Sequence, residues 1–151
     1  YMVGTGYAVH DIRVKIKELG LSQHVTMLGN ILDRERLKAI DAAADLFLFP
    51  SLYDNAPLVV REAAAMHTPS LMLQDSTAAE VIQPDINGFL TANDKHAYAA
   101  RICQLMERPE LLQAAGKTAS NTIARSWEDV IDEVILRYRD IQESYKIKHG
   151  K

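Results

Sequence analysis

Cys103 is the only cysteine in 151 residues, so no internal disulfide can form and no thiolate cluster is available for a metal; such usage suits a reducing, cytoplasmic setting. Neither sign of charge dominates. Against 20 Asp and Glu stand 17 Lys and Arg, and the net charge of −3 lacks the basic footprint that nucleic acid demands. No apolar run approaches the roughly 18 residues of a membrane span. Nor does a charged-then-apolar leader open the chain. His10, His24, His96 and His149 share no metal-ligand spacing. Internal repeats and low-complexity tracts are absent as well. What remains is an ordinary globular composition, 48% hydrophobic and 25% charged. At this length a single domain buries roughly 68–70% of its unfolded surface.

Helix and strand signals alternate at the spacing of βαβ units. Val9, Ile12, Ile16 and Leu19 recur at helical spacing, with Gly20 as a stop. Val25–Leu28 reads as a strand ended by Gly29-Asn30, and Asp33 as the cap of a helix carrying Leu37, Ile40 and Ala44. Leu46–Phe49 and Ser70–Leu73 are apolar or small throughout, as expected of parallel strands covered by helices on both faces. Thr77 with Glu80 forms a capping-box pattern, Asn87-Gly88 a turn, and Phe89-Leu90 a short last strand. Beyond residue 92 the pattern is helical. Asn93 caps one helix, Pro109 opens another that Gly116 ends, and Ser126 caps the last, over about 126–145. Trp127, Tyr98 and Met106 read as packing anchors. The fold class expected is α/β, a Rossmann-like doubly wound parallel sheet with helices on both faces. Tyr1–Gly6 reads as a strand end meeting a glycine turn, which points to a fragment whose first strands lie upstream of Tyr1.

Function points to the stretch Asp45–Pro69. A buried strand runs into a polar loop and then into a helix with Pro57 at its first position, preceded by Asp54 and Asn55. The amides of Leu58 and Val59 then lack intrahelical acceptors, and with the helix dipole they suit an anionic ligand. Asp54 and Glu62 are separated by seven residues. Each also has a plainer reading, Asp54 and Asn55 as a helix cap and Glu62 as a solvated helix residue or partner of Arg61. His67 reads as a cap at the C-terminal end of this helix. Gly4-Thr5-Gly6 begins like a dinucleotide fingerprint, but Val9 stands where the third glycine belongs, which argues against a dehydrogenase.

Several segments in fixed order carry a resemblance: Val3–Gly6, Leu19-Gly20-Leu21, Val25–Asn30, Ala44–Ser51, Asp54 with Glu62-Ala63, Thr68-Pro69, Glu80–Ile82, Asn87–Leu90 and Ser126–Glu128. Together they resemble retaining, nucleotide-sugar-dependent glycosyltransferases of the GT-B architecture (group 1, family 4), which include bacterial glycolipid and polysaccharide synthases. The resemblance covers about residues 1–145. It implies that residues 1–151 are the C-terminal, donor-binding domain of a two-domain enzyme, with the acceptor held mainly by an N-terminal domain of the same protein. A peripheral membrane association through that domain, at the inner face, would be compatible. The fragment alone is expected to be inactive.

The resemblance also implies roles. Glu62 matches the acid that accepts both ribose hydroxyls, and Asp54 the acid, usually Glu, that contacts the transferred sugar. Backbone at Asn55, Ala56, Pro57 and Leu58 lies beside sugar and phosphate, with Val59 completing the helix start. Gly29, Asn30 and Ile31 match the turn bordering the nucleobase, and Gly4 and Gly6 the glycine turn near the donor. The expected donor is a UDP- or GDP-hexose. No cofactor and no metal are implied, and departure and attack share one face. The alternatives are a sugar-nucleotide epimerase of the same architecture, or a degenerate copy that only binds or scaffolds.

Overall fold

The computed structural model describes residues 1–150 and divides the chain into two compact units, Tyr1–Ile40 and Asp41–Lys151. In the first unit, β1 (Met2–Val3) pairs in parallel with β2 (Met27–Gly29), joined by α1 (Val9–Glu18). Gly20 follows α1 with φ +68, the left-handed stop expected of it. Helix α2 (Arg34–Ala42) opens at Asp33, whose Oδ1 accepts the amides of Glu35 at 3.0 Å and Arg36 at 3.2 Å.

The second unit is built on β3 (Phe47–Phe49), β4 (Ser70–Leu73) and β5 (Phe89–Thr91), all parallel, in the order β3-β4-β5. Four helices belong with it: α3 (Leu58–Ala65), α4 (Lys95–Met106), α5 (Pro109–Thr122) and α6 (Trp127–His149). A 3₁₀ turn, Thr77–Val81, follows β4. Every residue of β4 is buried, and its alternating side chains enter two cores. Met72 joins Val60 and Ala64 of α3, Ile82, and Ala119 with Ile123 at the end of α5. On the opposite face Leu71 joins Phe89, Leu105 of α4, and Leu112 with Ala115 of α5. Helices on both faces of a parallel sheet are the Rossmann-like α/β arrangement that the apolar runs predicted.

Several local expectations are corrected. Strand β3, one of the two edge strands of its sheet, is not covered on both faces, since Leu48 is 45% exposed. Asp94, not Asn93, caps α4, accepting the amides of His96 and Ala97 at 2.9 Å each. Gly116 does not end α5, which runs through it to Thr122. It is buried instead against the backbone of His67, because a side chain there would occupy the space where the two segments meet. Trp127 is 71% exposed and Met106 72%, so neither is an anchor, whereas Tyr98 donates to the Leu71 carbonyl at 2.9 Å. Ser126 caps α6 in a reciprocal box with Asp129. No residue of α6 is buried, and Trp127, Ile131, Tyr138 and Ile141 lie exposed along it.

Candidate functional site

Helix α3 begins one residue later than the proline suggested. Pro57 is its N-cap, with extended backbone (φ −64, ψ 109), and Leu58 is the first helical residue. The Val60 amide donates to the Pro57 carbonyl at 3.2 Å. The amides of Leu58 and Val59 are therefore the unpaired donors of the first turn, as expected, and both side chains are exposed. Neither Asp54 nor Asn55 caps the helix, because no side chain bonds to its first turn. Asp54 Oδ1 instead accepts the Ala56 amide at 3.2 Å, an Asx turn that bends the loop before Pro57 reaches the helix. Asp54 is half-buried, Asn55 and Ala56 are exposed, and Pro57 is buried.

Glu62 lies one helical turn beyond Leu58 and is half-buried. A second carboxylate lies near it. Burial raises the pKa of Asp41, and the Glu62 charge raises it further, so the two carboxylates lie within electrostatic reach. Asp41 also anchors this corner through its backbone, whose carbonyl accepts the Thr68 hydroxyl at 2.6 Å. Sequence reasoning missed Asp41, since nothing in the spacing of a residue at the end of α2 shows that it faces α3. Arg61 turns the other way and donates to the Ile123 carbonyl at 3.0 Å, tying α3 to the end of α5.

At the far end of α3, His67 adopts φ +62, the left-handed conformation that glycine ordinarily supplies after a helix. It is exposed there, in the capping position that its place in the sequence suggested. The capping box predicted for Thr77 and Glu80 does not form. Ser76 is the cap residue of the 3₁₀ turn, its hydroxyl donates back to Leu73 at 2.9 Å, and the Thr77 hydroxyl turns to the backbone of Asp54. Between the loop and this turn lies a cavity of about 30 Å³ bordered by Asn55, Ala56, Pro57, Thr77 and Glu80, with room for water but not for a sugar.

The remaining candidates lie in the first unit. Gly4 and Gly29 both have positive φ, +120 and +69, and border tight turns that a larger residue would strain. Gly4 and Gly6 line a cavity of about 280 Å³ with Tyr7, Ile12 and Met27. Asn30 is exposed and Ile31 half-buried, directly after β2. The structure thus clusters Asp54, Asn55, Ala56, Pro57, Leu58, Val59 and Glu62 in one unit, and Gly4, Gly6, Gly29, Asn30 and Ile31 in the other. Among the described residues, no three His, Cys, Asp or Glu side chains are grouped as a metal site requires. Among the same residues, no helix is long and apolar enough to cross a membrane.

Residues 1–122 match the family of glycosyl transferases group 1. The chain belongs to that family. Among its relatives, the putative glycosyltransferase EpsD of Bacillus subtilis is 29% identical over 95% of this chain and 38% of its own length. Sucrose-phosphate synthase from Thermosynechococcus elongatus superposes with a TM-score of 0.77 at 26% identity, over 89% of this chain and 34% of that one. HepE of Anabaena, solved in complex with UDP and glucose, superposes with a TM-score of 0.70 at 25% identity, over 79% of this chain and 33% of that one. The fold is accordingly the Rossmann-like α/β fold of GT-B glycosyltransferases, and members of the family are transferases. This chain spans little more than a third of the relatives it matches.

Proposed function

We propose that residues 1–151 form the donor-binding domain of a retaining glycosyltransferase that takes a UDP- or GDP-hexose, its acceptor held by another part of the longer protein. The observation that carries this reading is the start of α3. Two unpaired amides, Leu58 and Val59, open a helix that carries a half-buried acid one turn on, immediately after a loop bent by Asp54. The donor diphosphate would meet those amides and the positive end of the helix dipole, so that charge growing on the departing phosphate is stabilised by fixed donors rather than by a metal. Glu62 offers two carboxylate oxygens to the two adjacent hydroxyls of the ribose. Asp54 spends Oδ1 on its own loop, and Oδ2 is the atom we assign to the hexose. The glycine turns at Gly4, Gly6 and Gly29-Asn30-Ile31 would let a ligand come close to the backbone of the first unit. Similarity to a relative solved with UDP and glucose supports the class of ligand. A cytoplasmic enzyme, reaching the membrane surface only through its other domain, fits this donor chemistry.

Titration calorimetry of the chain against UDP and GDP tests the reading. We expect measurable binding of one nucleotide, weakened at least about tenfold by Glu62→Ala, the cost of losing charge-assisted hydrogen bonds. Equal affinity in the wild-type and Glu62→Ala proteins would sink the ribose assignment. Absence of binding to either nucleotide in the wild type would favour a degenerate domain.

A further inference from the structure

Thr77 sits in the 3₁₀ turn after β4, and its hydroxyl bonds twice to a residue 23 positions earlier. It accepts the Asp54 amide at 3.3 Å and donates to the Asp54 carbonyl at 3.0 Å. One side chain thus holds the peptide groups on both sides of Asp54. The loop has little else to hold it. Tyr53 is 90% exposed, Asn55 and Ala56 are exposed, and the other hydrogen bond of Asp54 is the internal one to Ala56. Burial resumes at Pro57, the last residue before the helix.

We propose that Thr77 is a positioning residue, a latch that fixes the backbone of Asp54 and through it the aim of the Asp54 carboxylate. Its effect on transfer rests on the donor-binding role assigned to this loop, but the latch itself is a property of the unliganded chain. Thr77 is exposed, so the amide and carbonyl it releases can bond to water, and the cost falls on order rather than on stability. Displacing a reacting or positioning group by about 1 Å can lower a rate about a hundredfold. Thr77→Val keeps the shape and removes the hydroxyl; Thr77→Ser keeps the hydroxyl.

Two measurements test the latch. In the unliganded chain, the Asp54 amide should exchange its hydrogen at least about threefold faster in Thr77→Val than in wild type or Thr77→Ser. Unchanged exchange overturns the latch whether or not the domain binds a nucleotide. In the full-length enzyme, Thr77→Val should lower kcat at least about tenfold while nucleotide affinity changes less than about threefold, and Thr77→Ser should restore kcat to within about threefold of wild type. Because Thr77 acts through Asp54, Thr77→Val should slow the Asp54→Ala enzyme no further. Losses that multiply in the double variant, or a Thr77→Ser enzyme as slow as Thr77→Val, overturn the role in transfer. Failure of the wild type to bind UDP or GDP would instead remove the donor-binding reading and leave the exchange result to decide the latch.

Discussion

Gly116→Ala is the substitution whose cost the structure defines most sharply. A methyl group added there would lie 2.9 Å from the His67 carbonyl carbon, closer still to its oxygen, and 3.1 Å from Cδ of Pro69. The nearest of these atoms are backbone, held by the left-handed turn at His67 and by the burial of Pro69, so none can rotate aside. Helix α5 must therefore lift from the end of α3, opening gaps beside Ala115 and Ala119, both 1% exposed. Overpacking of this kind costs up to about 3 kcal/mol. Against it stands a gain of about 1 kcal/mol, the helix propensity of Ala over Gly in a helix interior. The net expectation is a loss of about 2 kcal/mol. For a chain of this size that lowers Tm by about 4–8 °C. Thermal unfolding followed by circular dichroism measures it, with Lys117→Ala, exposed on the same helix, as a control expected to stay within about 2 °C. If Gly116→Ala matched or exceeded the wild-type Tm, the close approach of α5 to His67 would be wrong.

Three further outcomes follow from the same contacts. Asn87 is 1% exposed, accepts the Gln83 amide at 2.7 Å and donates to Val81 and Thr122, so Asn87→Ala should cost about 3 kcal/mol in urea unfolding; a loss near zero would mean that the turn is held by other bonds. Burial pushes the Tyr98 phenol from 10.0 to about 12, so the folded state keeps a proton that the unfolded state releases; stability should be intact below pH 10 and fall as pH rises from 10 towards 12, and Tyr98→Phe should flatten that fall. In the full-length enzyme, Asp54→Ala should lower turnover more than nucleotide affinity, whereas equal losses in steady-state kinetics and calorimetry would place Asp54 in uniform binding.

Much of the fold was legible because its signals are local. A continuous apolar run marked β4, buried at every residue. Asp33 and Ser126 announced their helices because a cap and its amides lie within three residues of each other. The order and spacing of the motifs from Val3 to Glu128 indicated the family before any contact was known, and the match over residues 1–122 bears that out. One expectation failed because a distant segment set the requirement. Gly116 looked like a helix stop, yet its small size is used against His67, 49 positions away.

The residue types by themselves determined the α/β class and the helix start at Pro57 to within one residue, and the resemblance to the family singled out Asp54 and Glu62 as candidate acids. Periodicity and capping report hydrogen bonds made within a turn or two, which is why those features could be read directly. Tertiary structure alone decided that Asp54 bends its own loop, that Thr77 holds it, that Asp41 lies near Glu62, and that Trp127 faces outward. Each of these depends on what the chain brings alongside after folding, and no spacing within one element encodes a neighbour supplied by another.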